Sequence, residues 1–389
     1  MCATVFVKHF QENGMAKSSP IRRLSEVIAA VEETAPPRLA VDGDPIGLHH
    51  GSLSQPIRKV AVALDAGLAA QDMAAKMKAD LLLVHHPRFW GGLKTLRQDS
   101  TTGRRAAKMA RLGLAVYSAH TNLDIAPGGV NDVLADTVGL ACRAPIVPVR
   151  EEKLCKLVAF VPASHVEQVR KAICAAGAGA IGNYADCTFR ARGTGTFSCG
   201  ENTRPFQGTP GSFEEADEYR LETIFGEYAR DAILAALLRS HPYEEVAFDI
   251  YPLLNKGTVY GIGRVGELPR PEPVAKLAAR LAKASGSTMT QYAAASKRAP
   301  QRIAVWSGAG VEVAPIAASG AEAVVAGEIS YHDVESFLDE GVSVVTLGHG
   351  FSEEPALKPW AARLGKMLPG VAFTVLPKGL ISMTNVMAK

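Results

Sequence analysis

Three short segments concentrate the side chains that could do chemistry. His85-His86-Pro87 closes the apolar run Leu81–Val84, His120 and Asp124 follow a second run, Leu114–Tyr117, and His349 and Glu353 follow a third, Val342–Thr346. Six metal-competent side chains at three such ends are more than scattered surface histidines would give. Neighbouring residues on a strand point to opposite faces, and Pro87 holds His86 extended. His85 and His86 are therefore read as serving two different ions. A carboxylate has two oxygens and can bridge both, and Asp124 and Glu353 are the candidates. Five ligands shared by two ions leave positions open to water or substrate, the mark of a catalytic site rather than a closed structural one. Imidazole with carboxylate suits zinc, iron, manganese or cobalt, and it is not the all-oxygen set of magnesium or calcium.

Read singly, each piece has a plainer account. An HHP tripeptide can be a solvated or core-satisfied pair. Asp124 can be a turn residue before Pro127-Gly128-Gly129. Glu353 can favour a helix dipole after Ser352. The shared position of these residues at strand ends carries the metal reading.

The elements that must position them follow from the pattern. Ile21, Leu24, Val27, Ile28 and Val31 recur at helical spacing until Pro36 and Pro37 stop them. Apolar runs at Val60–Leu64, Leu81–Val84 and Leu114–Tyr117 then alternate with helix-like stretches such as Ala69–Lys78 and Arg104–Leu112. Continuous apolar strands between helices imply a sheet covered on both faces. The grammar returns at Ile303–Trp306, Ala323–Ala326 and Val342–Thr346. Lys59–Gly67 matches Arg302–Gly310, Asp80–Pro87 matches Glu322–Ile329, and Gly113–Asp124 matches Gly341–Glu353. The expected fold is α/β: two pseudo-repeated halves, 20–152 and 257–389, forming one core. Ligands in such sheets gather outside the carboxyl ends of the strands, where these histidines and acids fall. Ser307-Gly308-Ala309-Gly310 could cradle a phosphate, but a tight turn accounts for it as well.

Residues 153–256 have another texture. The order Leu154–Val161, Ser164–Ala176, Cys187–Arg192, Arg220–Phe225, Tyr228–Ser240, Val246–Tyr251 reads β-α-β-β-α-β, an inserted ferredoxin-like α+β domain. A glycine-rich loop, 193–211, joins its middle strands and could take a small effector or simply be flexible.

Composition excludes other classes. The chain has 389 residues, 47% hydrophobic and 21% charged, with mean hydropathy +0.07. No apolar run reaches the roughly 18–20 residues of a membrane span. A net charge of +3 with pI near 8.5, spread along the chain, argues against a nucleic-acid partner or an anionic membrane surface. None of the six cysteines forms a CxxC pair, so they read as buried thiols of a reducing cytoplasm. Residues 1–19 read as a disordered tail in which Met15 could be the start.

The strings LLLVHHP, SAHTNLDIAPGGVND, VVAGEISYHD and GHGFSEEPAL resemble those of the Nif-three-like family (the YbgI/YqfO group), the GTP cyclohydrolase I type 2 homologues. APPRLAVDGDPIGL is similar to that family's N-terminal segment, and HPYEEVAFDIYPL to the end of the PII/CutA-like insert of its longer members. The resemblance spans nearly all of 20–389. It implies a dinuclear centre of two divalent transition-metal ions on His85, His86, Asp124, His349 and Glu353, with His120 as an extra ligand or proton carrier. His332, Asp333 and Glu328 resemble a further motif, Gly-acid-x-x-x-His-Asp. From it, His332 is a second catalytic candidate, and Glu328 and Asp333 are residues that would orient a metal-bound histidine. A homo-hexameric ring with the sites facing its cavity is also implied. The sequence departs from the family where Gly43-Asp44-Pro45-Ile46 stands in place of the usual Trp-Asp-Asn. That departure bears on local packing or substrate contacts.

The chemistry these residues imply is hydrolysis of a small nucleotide or phosphoester substrate by a metal-bound hydroxide. The other account is a non-catalytic metal-binding, metal-delivery or regulatory scaffold whose insert senses an effector.

Overall fold

The computed structural model describes residues 21–89, 92–93 and 95–377. The expected tail, with Cys2 and Met15, lies outside the described residues. The chain divides into two compact units, one of residues 1–147 and 261–389 and the other of residues 148–260. The second unit is a few residues wider at each end than the 153–256 expected.

The first unit opens with β1 (Arg22–Arg23), helix α1 (Leu24–Thr34), β2 (Gly47–His50) and β3 (Pro56–Ile57). The repeated grammar then begins: β4 (Lys59–Ala63), α2 (Leu68–Lys76), β5 (Leu81–Val84), α3 (Thr101–Leu112) and β6 (Ala115–Ser118). After them come α4 (Thr121–Ile125), α5 (Val130–Val138) and β7 (Ala141–Glu151). In the second unit, β8 (Leu154–Pro162), α6 (Val166–Ala175), β9 (Thr188–Ser198), β10 (Phe213–Gly226), α7 (Arg230–Ser240) and β11 (Phe248–Pro252) succeed one another. The first unit resumes with β12 (Val259–Glu267), α8 (Val274–Ser285), β13 (Gln291–Ala293), β14 (Arg302–Trp306), α9 (Val313–Ala318) and β15 (Ala323–Ala326). It ends with α10 (Tyr331–Asp339), β16 (Ser343–Thr346), α11 (His349–Met367) and β17 (Ala372–Val375).

The two halves of the first unit carry the same three parallel strands, β4-β5-β6 and β14-β15-β16. Each trio is flanked on one side by a short antiparallel strand, β2 beside β6 and β13 beside β16. The lock at the base of each first strand is also repeated. Asp80 Oδ2 accepts the amides of Arg58 and Lys59, and Glu322 Oε2 accepts those of Gln301 and Arg302. Each sheet is covered on both faces, which is why its strands read as unbroken apolar runs. In the first sheet Val60, Val62, Leu81 and Leu83 face α1 and α11, while Ala61, Leu82 and Val84 face α2 and α3. In the second, Ile303, Val305 and Val325 face α5 and α8, and Ala304, Trp306 and Val324 face α9 and α10.

The halves exchange their ends. Helix α5 follows β6 in the chain, yet Leu134, Ala135 and Val138 pack on the second sheet, and β7 is hydrogen-bonded there beside β12. Reciprocally, α11 follows β16 but buries Ala356, Leu357, Trp360 and Leu364 against the first sheet, and β17 pairs in parallel with β4. Trp360 Nε1 donates to Thr34 Oγ1 at 2.9 Å across 326 residues. One core therefore forms from the two ends of the chain, and both crossing helices begin beside the carboxyl ends of the strands.

The second unit is a four-stranded antiparallel sheet in the order β11-β8-β10-β9, with α6 and α7 supplying its core through Val169, Ile173, Ile233 and Leu237. That is the ferredoxin-like order for β-α-β-β-α-β. The middle strands are longer than expected and the loop between them shorter, because β9 and β10 stay paired from Thr188↔Thr223 to Ser198↔Phe213. Gly193 and Gly195, expected in a loop, lie within this ribbon. A Cβ at Gly195 would strike the carboxylate of Glu218, a buried acid that accepts a hydrogen bond from Tyr243 Oη at 2.8 Å.

Candidate metal centre

His85 and His86 extend β5 by one more step of the ladder. His85 N donates to Ala63 O and His86 N to Leu64 O. The two rings lie 5.0 Å apart and tilted by 44°, and they look to different partners. His85 is fully buried, with Nε2 3.6 Å from Asp124 Oδ1 and 3.9 Å from Glu353 Oε1. His86 Nε2 approaches Glu353 Oε2 at 3.1 Å and His349 Nε2 at 3.4 Å. Glu353 is the hub: its Oε1 is also 3.3 Å from His349 Nε2. It therefore touches three imidazoles, while Asp124 faces His85.

Helix geometry presents the second pair. α11 begins at His349, earlier than a start after Ser352, so His349 and Glu353 sit at i and i+4 on one face. The site-forming turn is pinned by Ser352, whose Oγ accepts from Gly308 N at 3.0 Å and donates to His349 O at 2.7 Å. In the other half, Asp124 N donates to His120 O at 3.0 Å, the same His-x-x-x-acid turn. Ser307 Oγ donates to Asp124 Oδ1 at 3.0 Å, and Arg264 ties α4 and α5 to the second sheet by donating to Ile125 O and to Asp132.

The imidazoles are oriented through Nδ1. His85 Nδ1 lies 2.9 Å from Ala119 O, His86 Nδ1 3.2 Å from Asp65 Oδ1, His120 Nδ1 2.9 Å from Asp44 Oδ1 and His349 Nδ1 3.4 Å from Glu328 Oε2. A carbonyl or carboxylate at Nδ1 makes that nitrogen the protonated one and leaves Nε2 as the basic nitrogen, the arrangement metal-bound histidines use. Asp44 is itself buried and held by the amide and hydroxyl of Thr121.

Protonation follows the surroundings. Burial pushes His85 below its ordinary range against the pull of Asp124 and Glu353, and burial raises the Asp124 carboxyl. For His86, burial works downward, but Asp65 and Glu353 outweigh it and hold it up to about 10. Burial would raise Glu353, but the adjacent His349 and His86 hold it well below the usual carboxylate range. His349 is raised by Glu353.

Two atoms test whether this set fits metal ions. His85 Nε2 is buried without a hydrogen-bond partner, and Glu353 Oε2 is buried with only the His86 imidazole nitrogen beside it. Buried polar atoms are nearly always paired, and leaving one bare costs about 1–3 kcal/mol. A cation would satisfy both. Two overlapping groups have ligand atoms close enough to share an ion: His85, His86 and His120, and His86, His349 and Glu353.

Of the residues expected from sequence, His85, His86, His120, Asp124, His349 and Glu353 are brought together, with Glu328 against His349. Two are not. His332 stands on the first turn of α10 with its side chain 89% exposed, facing Glu335. Asp333 closes a turn on Ser330, whose Oγ donates to it at 2.6 Å and accepts its amide, and so caps α10. Both belong to the start of a helix, which explains a His-Asp pair there in plainer terms. Ser307-Gly308 is a turn that positions Asp124 and Ser352 rather than an anion cradle. Sequence reasoning did not select Asp44 or Asp65. Asp65 had a signal, since Asp65-Ala66-Gly67 ends the first strand of the repeat. Asp44 lies in the segment that departs from the expected motif.

The fold and site together define an α/β protein whose core closes a buried histidine-carboxylate cluster able to hold metal ions. A family model described as Duf34/NIF3 (NGG1p interacting factor 3) matches residues 22–378, and the chain belongs to that family. A protein of Halalkalibacterium halodurans named GTP cyclohydrolase 1 type 2 homolog is 40% identical over 324 residues, 83% of this chain and 87% of that one. One of the same name from Bacillus subtilis is 37% identical over 325 residues, again 83% and 87%. Among solved structures, a Bacillus cereus protein related to NIF3 superposes with a TM-score of 0.86 at 33% identity, over 95% of this chain and all of that one. Among the described residues, no helix is long and apolar enough to cross a membrane.

Proposed function

We propose that the chain holds two divalent transition-metal ions on His85, His86, Asp124, His349 and Glu353 and acts as a metal-dependent hydrolase on a small nucleotide or phosphoester. The observation that carries this reading is the buried His85 Nε2, which has no hydrogen-bond partner and faces the carboxylates of Asp124 and Glu353. When bound, the ions would supply Lewis acidity. The chain's own part is orientation and proton handling. Glu353, touching three imidazoles, and Asp124, facing His85, are the carboxylates that would hold the ions with the histidines. Asp44 holds His120 with Nδ1 as donor, so Nε2 can take or release a proton beside the cluster. The names of the relatives make opening of the GTP ring one reaction to try.

A second reading keeps the metal and drops the chemistry: a metal-delivery or regulatory scaffold whose insert senses an effector. The separate compact unit 148–260 favours it. Metal content by plasma mass spectrometry on the native chain, His86→Ala and Glu353→Ala tests what both readings share. About two ions per chain are expected, falling towards one or none in the variants. Metal-free native protein, or variants that keep full metal, would overturn it. Turnover of a phosphoester and nucleotide panel, GTP included, then separates hydrolase from scaffold.

A further inference from the structure

Next to the metal cluster the chain gathers positive charge around a single carboxylate. Arg88 Nη2 is 3.8 Å from Asp65 Oδ1, and that carboxylate is already committed to His86 Nδ1. The same Arg88 nitrogen would lie 4.0 Å from a Cβ at Gly67, so the guanidinium sits at the N-terminus of α2. Gly67 gives that helix no side-chain cap, and its first amides carry the partial positive charge of a helix start. Arg105 comes from α3. Three residues on, Lys108 of the same helix reaches Leu68 O and Asp72, which lays this face of α3 along the start of α2.

Arg105 stands one turn before Lys108, on the side of α3 that Lys108 ties to the start of α2. Nε of Arg88 and Nε of Arg105 are both buried with no hydrogen-bond partner. Among the described residues no acid lies within ion-pair distance of Arg105. Burial, and then the charge of Arg88, hold the Arg105 guanidinium below its ordinary range. Like charges carried to one helix start with unused buried donors are a cost to the folded chain that an anion there would offset.

We propose that Arg88 and Arg105, with the bare start of α2, form an anion subsite beside the metal cluster that takes a phosphate group of the substrate. Planar guanidinium forks bind tetrahedral oxyanions through paired hydrogen bonds, and helix amides add further donors. Two guanidiniums and a helix start offer more donors and charge than one carboxylate ligand would use, which favours a phosphate dianion. The inference rests on the hydrolase reading, for which it names the group that the substrate carries.

Titration calorimetry of inorganic phosphate into the full chain, both chelator-stripped and metal-loaded, tests it. The native protein should bind phosphate in both forms. Arg105→Gln should weaken binding at least about tenfold in each and leave metal content at the native value. Equal affinity in the native protein and Arg105→Gln, or no phosphate binding by the native protein, overturns the subsite. If Arg105→Gln does not fold, arginine labelling of the native protein with phenylglyoxal, mapped by mass spectrometry, decides the same question. Phosphate should protect Arg88 and Arg105, and lack of protection overturns the proposal. A native chain without metal whose phosphate binding still depends on Arg105 sinks the hydrolase reading and keeps the subsite. A chain with full metal whose phosphate binding ignores Arg105 does the reverse.

Discussion

The two sheets of the core have the same three parallel strands, yet the ends of the first two strands are built for opposite tasks. In the first sheet the ends carry bulk and chemistry: Asp65 after β4, His85 and His86 after β5, His120 and Asp124 after β6. At the places matching Asp65, His85 and His86 stand Gly308, Gly327 and Glu328, whereas His120 and Asp124 are matched by His349 and Glu353. Gly308 has φ +64°, and a Cβ there would strike Glu353 Oε1 and lie 3.3 Å from His349 Nε2. A Cβ at Gly327 would strike Gly308 O and come within 2.7 Å of Ser352 Oγ. Side chains are stripped from the second sheet so that α11, crossing to the first, can bring His349 and Glu353 against His85 and His86. A repeated scaffold thus makes one asymmetric site: one half supplies most of the ligands, the other supplies space and two reaching side chains.

The most direct challenge to this contrast is to put a side chain back. Gly308→Ala should leave the fold in place and remove most of the bound metal, because the new methyl needs the volume of Glu353 Oε1 in a left-handed backbone that alanine resists. Plasma mass spectrometry alongside circular dichroism checks it. Full metal in a folded Gly308→Ala protein would show that the space is not reserved for Glu353.

Next in size is the exchange of helices. Trp360, 4% exposed, is the largest side chain that α11 buries on the first sheet. Trp360→Ala should cost about 3–5 kcal/mol, read by denaturant unfolding, and should lower metal retention with it, since the same helix carries Glu353. A cost under about 1 kcal/mol would mean that α11 is not part of the first sheet's core.

Much of this was legible in sequence, and the limits have physical causes. The strand ends could be found because unbroken apolar runs stop abruptly at polar residues, as at Val84-His85. The matching of the halves gave the right three strands on each side. The crossing of α5 and α11 was not legible. An amphipathic helix such as Ala356–Leu364 shows which face it buries, not which sheet covers it. His332 misled because a His-Asp pair at a helix start and one beside a metal look alike in one dimension. Asp44 and Asp65 act through other residues, by hydrogen bonds to Nδ1, and no spacing rule marks such partners.

A smaller effect concerns pH. In the metal-free chain His86 is held up to about 10 against an ordinary 6.5. Its stabilising charge is therefore fully present below pH 6.5 and is lost as pH rises through about 10. Asp65 and Glu353 are lowered, so their contribution is present above the ordinary carboxylate range and fades as pH falls below it. The chelator-stripped protein should lose melting temperature between about pH 8 and 10. The metal-loaded protein should not, because bound metal has already displaced the His86 proton. Parallel melting curves for the two forms would contradict the assignment of His86 as a ligand.

The finest test uses a feature that both halves contribute from unmatched positions, an acid at Nδ1 of a ligating histidine. Asp65 orients His86, and Glu328 orients His349. Removing such a partner costs about 10–100-fold in metal affinity, but the two are not equivalent here. The Asp65 side chain is 20% exposed and 3.2 Å from its histidine, whereas that of Glu328 is 56% exposed at 3.4 Å. Water can replace an exposed acid at an imidazole N–H, but not one walled in by Arg88 and His86. Asp65→Asn should therefore fall in the upper part of that range and Glu328→Gln at or below its lower end, measured by competition against a chelating dye. Equal losses would mean that burial does not set the worth of these partners, and the division of labour between the halves would then stop at the ligands themselves.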